Sequence, residues 1–192
     1  MYASSRTHGV NSKAGHNVLV HRIGLLGGEC TGKSTLAADL ASTFPGTAVV
    51  VPEVVRAFVT EHGRAPLAHE QTDIMARQVH AESHAQQRAG ADVQWLIADP
   101  APAMTAIYSL IYFGDETLLE PARAHLLTYD TVLWCDRDLP WVPDPGQRDG
   151  AHMRDAAHEA IEAVLPDVAA HRIAGSPLRR IEAARRIIGL GV

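Results

Sequence analysis

Residues 24–34 read Gly-Leu-Leu-Gly-Gly-Glu-Cys-Thr-Gly-Lys-Ser, and this stretch decides the fold. From residue 27 onward it fits the spacing G-x-x-x-x-G-K-[ST], in which glycines allow main-chain N–H groups to turn inward around phosphate oxygens. An apolar run over residues 18–26 precedes the motif, and a helical pattern with Leu36 and Leu40 one turn apart follows it. Phosphate-binding loops require this setting of a buried strand, a glycine turn and a helix. A chance glycine-rich turn is therefore the weaker interpretation.

The chemistry of such a loop assigns roles to its residues. Lys33 is expected to bridge the β- and γ-phosphates of ATP, and the Ser34 hydroxyl to ligate Mg²⁺. The positive end of the helix dipole, near Gly32, faces the same phosphates. ATP and Mg²⁺ are therefore the predicted ligands. The predicted nucleotide-binding residues are Gly28, Glu29, Cys30, Thr31, Gly32, Lys33, Ser34 and Thr35.

Apolar runs that predict strands alternate with helical patterns along the rest of the chain. Strands are predicted over residues 18–26, 47–51, 94–98, 131–135 and 170–174. Helices are predicted over residues 34–43, 53–61, 69–89, 103–113, 118–127, 154–165 and 177–188. This alternation predicts an α/β three-layer P-loop NTPase fold, with a five-stranded parallel sheet of order 2-3-1-4-5 and helices on both faces. A flexible leader over residues 1–17 is expected before a single domain over residues 18–192.

Parallel sheets bind ligands beyond the carboxyl ends of their strands, and several polar residues fall there. Asp99 ends the third strand and is expected to hold Mg²⁺ directly or through water; the alternative is a turn-capping aspartate before Pro100. Glu53 and Arg56 follow the second strand. They suit a general base and an arginine that steers substrate, or equally a helix-terminal acid and a solvated arginine.

Residues 138–150 form the longest irregular segment, rich in Pro, Gly, Asp and Arg. Arg148 and Arg154 flank it, either as arginines of a mobile lid that neutralises the transferring phosphoryl group or as ordinary surface arginines. Trp141 would stack on a ring in the crevice or pack under the lid, and packing is slightly favoured.

Composition excludes several classes of function. The formal net charge is −5, with 17 basic and 22 acidic residues, which argues against a general nucleic-acid binder. Cys30 and Cys135 belong to no CxxC pair, so free thiols in a reducing cytoplasm are expected. No apolar run approaches the roughly 18 residues of a membrane span, and no signal peptide is evident. His80 and His84 lie one turn apart but lack a third metal ligand.

Four segments resemble, in order, the ribosylnicotinamide kinase domain of bifunctional NadR proteins. Residues 24–41 are similar to its phosphate loop and first helix, and residues 51–58 to its E-x-x-R-x-F segment. Residues 96–99 match its apolar strand ending in Asp, and residues 131–150 resemble its W-V-x-D-G-x-R lid. The resemblance covers nearly all of residues 22–190. It implies transfer of the ATP γ-phosphate to a nucleoside-like 5′-hydroxyl.

The same resemblance implies roles for individual residues. Glu53 would act as the base, Asp99 would lie near the metal, and Arg56 and Arg148 would belong to the active site. Two departures bear on the acceptor: Ala101 stands where the family often has a second acid, and the lid has an extra residue at 144–146.

The sequence therefore predicts a small-molecule kinase that acts on a nucleotide and a small acceptor, with nicotinamide riboside as one candidate. A P-loop ATPase that acts as a regulatory switch is the alternative, and the lack of a second acid beside Asp99 disfavours it. A non-catalytic nucleotide sensor is the remaining alternative.

Overall fold

The computed structural model of the protein describes residues 20–88, 92–142, 150–165 and 167–190. Five parallel strands form one sheet in the order β2-β3-β1-β4-β5, which confirms the predicted order. The strands are β1 His21–Leu26, β2 Ala48–Pro52, β3 Trp95–Asp99, β4 Thr131–Cys135 and β5 Ala170–Ile173. The predicted leader, residues 1–17, lies outside the described residues.

Seven helices of the described chain connect and cover these strands. They are α1 Lys33–Thr43, α2 Val54–His62, α3 Gln71–Arg88, α4 Ala103–Phe113, α5 Leu119–Leu126, α6 Ala151–Val164 and α7 Pro177–Ile187. Helix α6 begins three residues before the predicted start at 154. Its start follows Gly150, which has a φ of +126° and therefore lies outside the helical region. The sequence pattern had assigned this first turn to the glycine- and proline-rich stretch.

Both faces of the sheet are buried, which gives the three layers. On one face, Ile23 and Leu25 of β1 pack with Leu36 and Leu40 of α1 and with α7. On the other face, Leu26 packs in a cluster built mainly from α4, α5 and α6. Successive strand residues point to opposite faces, so a strand covered on both sides is apolar throughout. Burial on both faces therefore explains the apolar runs from which the strands were predicted.

The sheet order brings the loops of interest to one edge. Strand β1 lies between β3 and β4, so the glycine loop after Leu26 leaves from the middle of the sheet. Pro52 at the end of β2 pairs with Asp99 at the end of β3. The residues after β1, β2 and β3 therefore converge on the same crevice. Across the described residues, no helix is both long and apolar enough for a bilayer.

Candidate active site

The glycine loop adopts the strand-to-helix bend that its sequence predicts. Gly27 and Gly32 have φ values of +140° and +79°, in the region that favours glycine. A Cβ at Gly27 would lie 2.7 Å from the Thr31 hydroxyl oxygen and 2.8 Å from the Cys135 carbonyl oxygen. The Thr31 hydroxyl donates to the Gly28 carbonyl at 2.8 Å. The loop is therefore a tightly closed turn in which a larger residue would force a displacement.

Lys33 and the start of α1 supply the positive charge of the site. The Lys33 ammonium donates to the Gly27 and Gly28 carbonyls, at 2.7 Å each, so it lies over the loop. Helix α1 has no side-chain cap and no acidic residue in its first turn. Its terminal N–H groups and dipole are thus available to an anion. Exposed Ser34 and Thr35 complete this turn.

A cleft of about 610 Å³ extends from the loop across the carboxyl edge of the sheet. Residues 29–35 line one half of it, which includes every predicted nucleotide-binding residue except Gly28. Gly28 lies behind the cleft, where a Cβ would come within 2.9 Å of the Arg154 carbonyl oxygen. Its lack of a side chain lets the loop pack directly on α6.

Glu53 and Arg56 line the other half of the cleft. Glu53 immediately precedes α2, its side chain is 30% exposed, and its carboxylate lies 3.9 Å from the Arg56 guanidinium. Buried Gln78 of α3 accepts from the Val54 amide at 2.8 Å and donates to the Pro52 carbonyl at 3.1 Å. Gln78 therefore fixes the main chain on both sides of Glu53. No signal in the sequence distinguished this glutamine from other polar helix residues.

Asp99 lies between the two halves of the cleft. It is the last residue of β3, is 8% exposed, and lines the cleft together with Ser34. The described residues contain no group of three or more His, Cys, Asp or Glu side chains placed to hold a metal ion. Mg²⁺ commonly takes one or two carboxylates and completes its shell with water and substrate phosphates. The hydroxyl of Ser34 and the carboxylate of Asp99 fit a cation held in that way beside the loop.

Aromatic side chains of α4 form a wall of the half of the cleft that contains Glu53, and no pattern in the sequence marked them as cleft residues. Tyr108, Tyr112 and Phe113 line the cleft. Burial, together with the charges of Glu29 and Glu53, raises the pKa of Tyr108 well above its ordinary value. The Tyr108 phenol, which is neutral at physiological pH even at its ordinary pKa, is thereby held still further from ionisation. The apolar residues that line the same half are Val55, Val59, Ala65 and Pro66.

The segment after β4 covers the loop side of the cleft through Leu139, Pro140 and Val142. The Cys30 thiol accepts from the Val142 amide at 3.3 Å, which joins the phosphate loop to this segment. Trp141 is half-buried and does not appear in the lining of the cleft.

Arg148 and Arg154, the two arginines predicted for the lid, differ in what the structure shows of them. The Arg154 guanidinium donates to the Leu139 carbonyl at 2.8 Å, so it supports the segment from behind instead of facing the cleft. Arg148 lies outside the described residues. The contact of either arginine with a phosphoryl group stays a prediction.

Residues 22–177 match the model of a protein family described as an AAA domain, AAA_28. The chain belongs to this AAA_28 family. No curated protein matches it in sequence. The chain shares its fold with solved structures, and this confirms the predicted P-loop NTPase fold class.

Three solved structures illustrate the likeness. A NadR protein in complex with NR superposes with a TM-score of 0.70 at 18% identity, covering 91% of this chain and 52% of that one. A NadR protein in complex with NAD and AMP-PNP gives 0.67 at 18% identity, covering 91% and 51%. Thymidylate kinase from Ehrlichia chaffeensis gives 0.63 at 13% identity, covering 88% and 99%. The chain thus spans about half the length of the NadR structures.

Proposed function

We propose that the protein is an ATP- and Mg²⁺-dependent kinase that phosphorylates a hydroxyl group of a nucleoside-like small molecule. The observation that carries the proposal is one cleft with the phosphate loop at one end and Glu53 at the other. Asp99 lies between them in the same cleft. We call the end with the phosphate loop the donor half and the end with Glu53 the acceptor half. NadR proteins of similar fold have been solved with AMP-PNP and with NR, which supports testing a nucleotide and a nucleoside as the two ligands.

In the donor half, the loop amides and the first turn of α1 would hold the phosphates. Lys33 would exchange its two carbonyl partners for phosphate oxygens, which carry more charge. A bound Mg²⁺, held by Ser34 and Asp99, would supply charge neutralisation on the phosphates. These residues orient the γ-phosphate toward the acceptor half.

In the acceptor half, Glu53 would accept the proton of the substrate hydroxyl. The substrate oxygen then forms a bond to the γ-phosphorus while the bond to the bridging oxygen breaks, and ADP leaves with those electrons. Arg148 and Arg154 would close over the transferring group. To do so, Arg154 must release the Leu139 carbonyl.

The acceptor itself would lie against the aromatic wall of α4. Arg56 would contact it, and Trp141, which lies outside the lining of the cleft, would contact it only after a movement of the lid. Nicotinamide riboside is the first acceptor to test because NR is bound in a NadR structure of the same fold. The closed segment over the loop would exclude water, which prevents loss of the γ-phosphate to hydrolysis.

A Glu53→Gln variant tests the proposal with ATP and a nucleoside panel that includes nicotinamide riboside. Loss of a general base should lower kcat by about 10²- to 10⁴-fold while ATP affinity stays unchanged. Glu61→Gln is the matched control, because Glu61 is an exposed acid on α2, the helix that follows Glu53, with 74% of its side chain accessible. The readouts are product formation by mass detection and ATP affinity by titration.

Two outcomes would contradict the kinase proposal. Wild-type protein that hydrolyses ATP at the same rate with and without every acceptor would be a switch ATPase. Wild-type protein that binds ATP without any turnover would be a nucleotide sensor.

A further inference from the structure

Arg180 of α7 is a buried arginine far in sequence from the phosphate loop, and 2% of it is exposed. Its guanidinium donates to three carbonyls, those of Gly175 at 2.8 Å, Thr31 at 2.9 Å and Asp136 at 3.2 Å. It also donates to the Asp138 carboxylate. We propose that Arg180 is a positioning residue for the nucleotide, which orients the Thr31–Gly32 peptide and couples it to residues 138–142, called here the lid base. The proposal rests on the nucleotide site of the proposed function.

The first step concerns the peptide between Thr31 and Gly32. A trans peptide is planar, so its C=O and N–H point in opposite directions. Arg180 holds the Thr31 carbonyl, and the Gly32 N–H is therefore directed away from Arg180. Gly32 itself lines the cleft. Gly32 has a φ of +79°, and glycine permits alternative orientations of the peptides beside it. The buried arginine selects the orientation that suits a phosphate.

The second step concerns the base of the lid. Asp138 accepts from Arg180 through one carboxylate oxygen and from the Gly175 amide, at 2.5 Å, through the other. The residues that follow Asp138 line the cleft above the loop. One guanidinium therefore joins the phosphate loop, the lid base and the turn before α7. A displacement of any one of the three would disturb the other two.

The third step concerns the choice of arginine. Arginine presents five N–H donors in a rigid planar fork, whereas lysine presents three donors on one nitrogen. The four acceptors of Arg180 belong to three separate segments of the chain. A lysine at this position keeps the charge but satisfies only part of the set. Arg180→Lys therefore perturbs positioning without leaving the Asp138 carboxylate with no cation.

Cys30 offers a readout of loop position that does not depend on catalysis. It precedes Thr31, and its thiol accepts a hydrogen bond from the Val142 amide of the lid base. The other cysteine, Cys135, is buried, and burial raises the pKa of its thiol to about 11. Alkylation of the folded protein near pH 8 is therefore expected at Cys30 alone. Its rate measures how firmly the loop and the lid base are held together.

The experiment compares Arg180→Lys with Arg185→Lys, an exposed arginine of the same helix, in the full chain. The measurements are the iodoacetamide alkylation rate at Cys30 by mass spectrometry and the Mg²⁺-ATP concentration that gives half-protection. Arg180→Lys should raise both by about fivefold or more, and raise KM for ATP while kcat changes less than about threefold. Arg185→Lys should match the wild type.

Asp138→Asn is the second variant, and it keeps the test informative if Arg180→Lys fails to fold. It should move both readouts in the same direction by a smaller factor, and its effect should be less than additive with Arg180→Lys. If Arg180 were only structural, its substitution would lower the melting temperature. The Mg²⁺-ATP concentration that gives half-protection would then be unchanged at temperatures well below melting.

Unchanged alkylation and half-protection in the folded variants would overturn the positioning role. The two proposals fail separately. If wild-type protein phosphorylates no acceptor, the proposed function fails, yet half-protection of Cys30 by Mg²⁺-ATP still tests Arg180.

Discussion

Gln78 is the residue on which the geometry of the proposed base depends. Its side-chain amide donates a hydrogen bond to the Pro52 carbonyl and accepts one from the Val54 amide, and these two groups belong to the peptides on either side of Glu53. Two hydrogen bonds from one buried amide fix the direction in which the Glu53 side chain leaves the main chain. The Glu53 carboxylate can therefore be misplaced by a change that does not touch it.

Gln78→Leu should lower kcat by about tenfold or more, because a small displacement of a catalytic group is costly, and should leave ATP affinity unchanged. The two main-chain groups left without partners should also lower the free energy of unfolding by about 1–3 kcal/mol. Steady-state kinetics and urea denaturation measure the two effects. Gln86→Leu, an exposed glutamine on the same helix, serves as the control. Equal loss of kcat and of ATP affinity would contradict this role.

At the residue scale, the sequence predicted the placement of the groups that local order determines, and the roles of these groups stay predictions. The phosphate loop is contiguous, Glu53 follows β2, and Asp99 ends β3, and the ends of these neighbouring strands must meet in a parallel sheet. The sequence did not predict the roles of Gln78 and Arg180, because each side chain bonds main-chain groups that are distant in sequence. Arg154 shows the opposite case, since its place beside the lid was expected but its observed partner is the Leu139 carbonyl.

Three elements meet around His158 of α6. Its ring lies 4.7 Å from that of Trp134 on β4, and its Nε2 lies 3.1 Å from the Arg172 guanidinium of β5. Burial, followed by the positive charges of Arg137 and Arg172, lowers the pKa of His158 below its ordinary 6.5. The neutral ring is therefore the form that the junction of α6 with the sheet accommodates.

This shift predicts a loss of stability in acid. The unfolded chain binds a proton at His158 more readily than the folded protein does, so protonation favours unfolding. The contribution is fully present above pH 6.5 and is lost as the pH falls through the lowered pKa of the folded state. Melting temperatures at pH 7 and pH 5 should differ less in His158→Gln than in the wild type. His171→Gln, an exposed histidine of β5, should keep the wild-type difference.

At the element scale, each predicted strand and helix among the described residues has a counterpart in the structure. Buried parallel strands have continuous apolar runs, and glycine or proline marks most helix ends, which explains this success. The start of α6 was placed too late because Gly150 and the residues before it dominate the local composition. The aromatic wall of α4 was not recognised, since an apolar helix alone does not reveal which residues face a cleft.

Ligand binding should stabilise the molecule as a whole. A ligand at 100 times its dissociation constant adds about 2.7 kcal/mol to the free energy of unfolding. For a domain of this size that corresponds to a rise in melting temperature of about 5–10 °C. Mg²⁺-ATP should produce this rise, and chelation of Mg²⁺ by EDTA should remove most of it. Thermal denaturation followed by circular dichroism gives the measurement.

Lys33→Ala provides the control for that shift. The variant lacks the ammonium that lies over the Gly27 and Gly28 carbonyls and should show little stabilisation by Mg²⁺-ATP. A full shift in this variant would mean that the nucleotide binds somewhere other than the loop.

The strand order also separates the two ends of the cleft in their resistance to local opening. Strand β1, which leads into the phosphate loop, is hydrogen-bonded on both flanks, whereas β2, which leads into Glu53, lies at the margin of the sheet with one neighbour. Marginal strands exchange their amide hydrogens through smaller openings than central ones. On warming, Glu53 would therefore be displaced before the phosphate loop is. The protein would lose kinase activity while nucleotide is still bound, at a temperature below that of global unfolding.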